Sequence, residues 1–321
     1  MTEDTERYLD PAEIRHRIGT SGAFNLANVS GDIDIRATDG DEIVVIARGR
    51  GRQEWLPLNV RRAEGMLSID LDQRGPGWNL LGRNNIEVEF DIVLPRGTRV
   101  DINTVSGDIE VIGTMGDQSY RSVSGDITLN RVGGRVGVTT VSGDAAVRAD
   151  EPVESDVSST SGDLEISGPL LRASKLRTVS GDVQVRGGFE PGAMHGIETV
   201  SGDVEIESAG GLTVEVKKGI DLGGGPKQRV IGDGAARLRF RSLSGDLHVM
   251  GLGGDRGAED QPHEHFIPSA PPAPPAPPAA PAPVAPGRSQ VNSLEILQML
   301  ERGEIDVEEA QRRLEGAATN A

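Results

Sequence analysis

The chain contains no cysteine, so neither a disulfide framework nor a thiolate metal site can form. Aromatic residues are only 3% of it, two Trp, two Tyr and five Phe, too few to stack on sugars or on unpaired bases. Nowhere do about 18 apolar residues run together, which excludes a membrane-spanning helix. The opening MTEDTERYLD is acidic and polar, where a secretory signal needs a basic patch followed by an apolar stretch. The expectation is a cytoplasmic protein whose membrane contact, if any, is peripheral.

Positive charge is also short: the formal net charge is −17 over 321 residues. Residues 253–290 carry −2 and residues 291–321 carry −4, so −11 is left as a diffuse acidic surface on the first 252. Phosphate backbones are repelled by such a surface. The local clusters Arg48, Arg50 and Arg52, and Arg61 with Arg62, lack aromatic interleaving, so nucleic acid is not an expected partner.

What the chain has in abundance is glycine, 43 residues, and one phrase repeated. TVSGDIEV at Thr104 returns as SVSGDITL at Ser122, TVSGDAAV at Thr140, STSGDLEI at Ser159, TVSGDVQV at Thr178, TVSGDVEI at Thr199 and SLSGDLHV at Ser242, with NVSGDIDI at Asn28. From Ser106 onward the serines are 18, 18, 19, 19, 21 and 43 residues apart, the last interval reading as two periods with a decayed copy between. A fixed period near twenty means one supersecondary unit stacked on itself.

After each Asp the residues alternate. Ile33, Ile109, Ile127, Ala145, Leu164, Val183, Val204 and Leu247 come first, and two positions on stand Ile35, Val111, Leu129, Val147, Ile166, Val185, Ile206 and Val249, with mostly polar residues between. That is the period-two pattern of a strand with one buried face. Ser-Gly-Asp reads as a corner, because Gly accepts positive φ and Ser and Asp can turn their oxygens onto nearby N–H groups. The column two before each Ser is Asn28, Thr104, Ser122, Thr140, Ser159, Thr178, Thr199 and Ser242, which predicts a hydrogen-bonded ladder from rung to rung. The fold class expected is all-β, a parallel β-solenoid of 18–21-residue rungs over residues 21–252. At roughly 19 residues per rung, some 230 residues predict about twelve rungs and 55–60 Å of stack. Residues 1–20 read as a leader or cap, with DPAEIRHRI a short helix carrying Ile14 and Ile18 on one face. The GPGWNLLGRNN loop is a second cover, with Trp78, Leu80 and Leu81 buried against the stack.

Eight aspartates on one corner would be a column of like charges, answered by solvent and by backbone N–H groups in Asx-type turns. Calcium between rungs, on Asp108, Asp126, Asp144, Asp163, Asp182 and Asp203, is the sharper alternative. The GGxGxDxUx pattern is missing, however, and one Asp per rung supplies few of the six to eight oxygens that calcium takes. No catalytic residue is assigned: His16, His195, His248, His263 and His265 are scattered. The paired glycines at Gly133, Gly187, Gly210 and Gly253 are turns rather than phosphate cradles, and no cofactor is expected.

Residues 253–290 form a Pro/Ala-rich linker, whose segment PSAPPAPPAPPAAPAPVAP favours extended polyproline II. After it, residues 291–318 are written as a helical hairpin. Asn292 with Glu295 and Asp306 with Glu309 make capping boxes, and Gly303 and Gly316 are the stops. Leu294, Leu297, Leu300, Ile305, Val307 and Leu314 are its candidate interaction residues. About 25 residues bury too little to stand alone, so the hairpin is expected to self-associate, dock on the rod or bind another protein.

The repeated VSGDI pattern, with LANVSGDIDIRATDGDEIVVIARG and VEFDIVLPRGTRVDINTVSGDIEV, resembles the bacterial putative-adhesin family of β-strand repeats over about Ala23 to Met250. ILQMLERGEIDVEEAQRRLEG is similar to the short helical hairpin attached to those proteins. The resemblance implies a β-helix-like repeat and an association with cell-envelope stress, and brings no catalytic or ligand residues. The expected function is a non-enzymatic scaffold. The alternatives are a calcium-dependent or surface adhesive module, and a polymer-forming rod similar in plan to bactofilins.

Overall fold

The computed structural model describes residues 8–50, 55–71, 87–218 and 227–251. All belong to one compact unit, Met1–Ala258; a second unit spans Glu259–Ala321. The GPGWNLLGRNN loop, the Pro/Ala linker and the hairpin with Leu294, Leu297, Leu300, Ile305, Val307 and Leu314 lie outside the described residues.

Every regular element among the described residues is a strand. The first nine are β1 (Tyr8–Leu9), β2 (Ala12–Arg17), β3 (Ala23–Ala27), β4 (Ile33–Thr38), β5 (Glu42–Gly49), β6 (Trp55–Leu56), β7 (Leu58–Ala63), β8 (Met66–Leu71) and β9 (Val88–Pro95). The repeats supply β10 (Arg99–Asn103), β11 (Ile109–Ile112), β12 (Gln118–Ser124), β13 (Ile127–Ser142), β14 (Ala145–Ser161), β15 (Leu164–Ser180), β16 (Val183–Phe189), β17 (Met194–Ser201) and β18 (Val204–Ser208). The last four are β19 (Leu212–Lys218), β20 (Lys227–Ile231), β21 (Ala236–Ser244) and β22 (Leu247–Gly251).

The strands stack on two faces. Along the face after the corner, parallel neighbours run β9, β4, β11, β13, β14, β15, β16, β18, β22. Along the face before it they run β8, β3, β10, β12, β13, β14, β15, β17, β21, β19. Each turn of chain adds one strand to each face, and β13, β14 and β15 bend through register shifts to serve both. The aliphatic columns expected from the sequence are in register: Ile33, Ile109, Ile127, Ala145, Leu164, Val183, Val204 and Leu247 pair successively. All but Leu247 are buried, as is the column Ile35 to Val249. A buried Ile, Leu or Val contributes about 1.5–3 kcal/mol, so the aliphatic columns are what hold a chain with so few aromatics together.

Several expectations need correction. DPAEIRHRI is a strand, not a helix: β2 lies antiparallel on β5, with Ile14 and Ile18 buried. An open sheet edge needs a covering strand, and an alternating segment can supply one. The 43-residue interval holds no decayed rung between its corners, because Ser201 pairs directly with Ser244 and β18 with β22. The intervening chain crosses to the far side of β21 and forms the antiparallel hairpin β19–β20 there. Likewise Ser30 pairs directly with Ser106, and β5 on β9 and β7 on β8 close the other end as antiparallel strands. Eight stacked corners replace the expected twelve rungs, so seven steps of about 4.8 Å give about 34 Å.

Candidate functional site

The most regular surface of the molecule is the corner itself. Its glycines, from Gly31 to Gly245, all have φ between 112° and 147°, a region closed to side chains. A Cβ at any of Gly107 to Gly245 would meet the carbonyl oxygen of the glycine one rung below, and at Gly31 that of Val88. Glycine is therefore demanded twice, by conformation and by the approach of the next rung.

The aspartates answer one another across rungs. Oδ1 of Asp32 accepts the backbone N–H of Asp108 at 3.0 Å, and Asp108 that of Asp126 at 2.9 Å. Asp126, Asp144, Asp163, Asp182 and Asp203 accept the N–H of Asp144, Asp163, Asp182, Asp203 and Asp246 in turn, each at 2.8 Å. The local Asx turn expected from the sequence is thus replaced by an inter-rung ladder. A carboxylate offset by one rung reaches the next N–H directly, and each charge-assisted bond offsets the repulsion between neighbours. Among the described residues no three His, Asp or Glu side chains converge to hold a metal.

The hydroxyl column is also corrected. Its members are buried, but Thr104, Ser122 and Ser242 donate to the carbonyl two residues ahead, of Ser106, Ser124 and Ser244. These bonds brace three corners internally and do not link rungs; the buried hydroxyls of Thr140, Ser159, Thr178 and Thr199 have no protein partner. Asn28 stands at the start of the column, and its amide reaches the carbonyls of Ser30, Gly31 and Val88, tying the corner to β9.

The residue before each Ser points outward. Val29, Val105, Val123 and Val141 are half-buried, whereas Val179, Val200 and Leu243 are 48%, 42% and 57% exposed. The core does not demand an aliphatic residue there, so the repeat writes a surface stripe, broken only at the exposed Thr160. At its exposed end the stripe floors an open cleft of about 520 Å³, walled by Arg177, Glu198, Lys217 and Arg241.

The rest of that outer face is charged and ion-paired across strands. Arg135 meets Glu154, Arg177 meets Asp156 and Glu198, Arg241 meets Glu198, and Arg239 meets Glu215, at 3.4–3.8 Å. The alternation in ARLRFRSL was the signal for this, since it buries Leu238 and Phe240 and leaves Arg237, Arg239 and Arg241 outside. At the other end of the rod, burial and the neighbouring Asp91 and Glu110 raise Asp34 above the usual carboxylate range.

The described histidines, His16, His195 and His248, do not come together, and His263 and His265 lie outside the described residues. His16 lies 2.8 Å from the Ala63 carbonyl, and His248 is exposed on β22. His195 is buried at 1% exposure, edge-on to Phe189 at 4.9 Å between centroids, and neither ring nitrogen has a protein partner. Burial holds it down to about 4.

Residues 23–221 match the family described as Toastrack DUF4097, well over half of the chain. The chain belongs to this family. Among solved structures, a "putative adhesin" from Bacteroides fragilis is 11% identical, with 74% of this chain and 95% of that one covered at a TM-score of 0.44. A "putative cell adhesion protein" from Clostridium sporogenes is 14% identical, with 75% and 99% covered at 0.25. A "putative lipid binding protein" from Parabacteroides distasonis is 12% identical, with 75% and 97% covered at 0.37. Comparison with curated proteins gives no match. The family match takes in the corners from Ser30 to Ser201 and leaves out the last, at Ser244.

Proposed function

We propose that this Toastrack chain is a non-enzymatic, cytoplasmic interaction scaffold. In this reading the rod presents a repeated surface, and residues 291–318 mediate self-association or the docking of a protein partner. The observation that supports it most is the outward aliphatic stripe beside the corners, half-buried from Val29 to Val141, interrupted at Thr160 and exposed at Val179, Val200 and Leu243. Clustered exposed apolar side chains rimmed by charge, as at that end, are the chemistry of protein contact rather than of a reaction centre. A role in the response to cell-envelope stress follows from the sequence resemblance alone and is part of the proposal.

Sedimentation velocity of the full chain and of a truncation lacking residues 291–321 tests the scaffold reading. The expected result is an assembly that the truncation, still folded by circular dichroism, reduces to monomer. Identical sedimentation of the two proteins would remove the role given to the tail. Equally, Val179→Ser with Val200→Ser should weaken any partner or self-contact made by the rod, and an unchanged assembly would remove the role given to the stripe.

A further inference from the structure

We propose that the outer face of β15, β17 and β21 holds a binding site for a small oxyanion, a carboxylate or phosphate group, centred on Gly196. In one outward column of this face Arg177, Glu198 and Arg241 are neighbours in register. The Glu198 carboxylate lies 3.5 Å from Arg177 Nε and 3.4 Å from Arg241 Nη1, so one anion joins the cations of the two flanking rungs. Two residues earlier, the same three strands place Lys175, Gly196 and Arg239 side by side. The flanking rungs again carry cations, about 9.6 Å apart by strand spacing, but the middle position has no side chain.

The space at that position is real. A Cβ built on Gly196 meets nothing within 4 Å, and a cleft of about 290 Å³ opens there, lined by Lys175, Arg177, Met194, Glu198 and Arg239. Gly196 is not required by its backbone, since its φ is not in the left-handed region. A glycine inside a strand weakens it, and an open one marks a place where something else can approach. Of the carboxylates nearby, Glu198 borders the cleft but is held by Arg177 and Arg241, and the other two sit on the far sides of the two cations. Asp156 is beside Lys175 in register, and Glu215 is 3.8 Å from Arg239 Nε. Lys175 makes no ion pair among the described residues.

An ammonium and a guanidinium carried on either side of one open position can offer donors to two or three oxygens of one anion, the geometry that carboxylate and phosphate groups accept. Met194, 60% exposed, borders the cleft and favours a ligand with a short carbon chain on its acidic group. In a protein of net charge −17 such a site acts at short range, within a Debye length of about 8 Å. The site is independent of the scaffold role.

The test is calorimetric titration of the full-length protein with inorganic phosphate and, separately, with butyrate, with chloride as the control at matched ionic strength. One saturable site for phosphate or butyrate, absent with chloride, is expected, and the preferred anion identifies the group selected. Lys175→Gln and Arg239→Gln should each weaken binding by roughly tenfold or more. Gly196→Glu should abolish it and raise the melting temperature without added anion, because its own carboxylate would take the place that Glu198 takes one column over. No saturable binding of either anion, or binding unchanged by Gly196→Glu, would overturn the proposal. If that variant does not fold, the Lys175→Gln/Arg239→Gln double variant decides, and wild-type affinity in it is the overturning result.

Discussion

Removing one carboxylate from the corner ladder separates its two opposed effects. Asp144 accepts the N–H of Asp163 at 2.8 Å and its own N–H is held by Asp126 at 2.8 Å. Asp144→Ala deletes one hydrogen bond to a charged acceptor, a loss of about 1.5–3 kcal/mol. It also relieves repulsion from two neighbouring charges. At a spacing of about 4.8 Å in nearly aqueous surroundings each contact costs about 0.9 kcal/mol, and physiological salt leaves about 1 kcal/mol for the two together. The hydrogen bond wins, and Asp144→Ala should be less stable by about 0.5–2 kcal/mol. Asp144→Asn keeps a side-chain oxygen in place and removes the charge, so its weaker neutral bond and the relieved repulsion should nearly cancel. Urea midpoints of wild type, Ala and Asn variants, followed by far-ultraviolet circular dichroism at low and moderate salt, measure the order. Equal losses in the Ala and Asn variants would refute the acceptor role and make charge the determinant. A large stabilisation by added calcium in wild type alone would instead favour the metal-bridged reading.

Two further outcomes follow from the stacked geometry. Gly162 has φ +147° and its Cβ would meet the carbonyl oxygen of Gly143, so Gly162→Ala should cost at least about 1–3 kcal/mol of strain, seen as a lowered urea midpoint; a neutral variant would mean the rungs can separate locally. His195 is held down to about 4 by burial, against 6.5 when unfolded, so its contribution is complete above about pH 6.5 and is lost as pH falls towards about 4. The loss is on the order of 3 kcal/mol, and melting curves of wild type and His195→Leu should diverge across that interval; parallel pH profiles would show that the imidazole takes up its proton without cost.

The sequence by itself determined the repeat, the corner and the inward aliphatic columns, because a side-chain period of two and a fixed return of SGD leave one way to stack like on like. The alternation ARLRFRSL also held the signal that Arg237, Arg239 and Arg241 share a face, although no expectation was drawn from it. Only the tertiary structure decided how the ends are closed and which rungs are neighbours. The offsets of 76 residues from Ser30 to Ser106 and 43 from Ser201 to Ser244 are spanned by direct pairing, while the described intervening strands extend the parallel stack at its ends with β8, β9 and β19 and close it with the antiparallel β5, β7 and β20. Composition cannot distinguish a degenerate rung from such a cover, since both are short alternating strands. The same holds at the corner. The letters S, G and D permit a local turn or a ladder, and the choice belongs to the distance between successive rungs, which brings each aspartate within 2.8–3.0 Å of the next backbone N–H. The pairing of Lys175 and Arg239 across Gly196 likewise depends on β21 lying beside β17, which a separation of 43 residues hides from any reading of the chain in order.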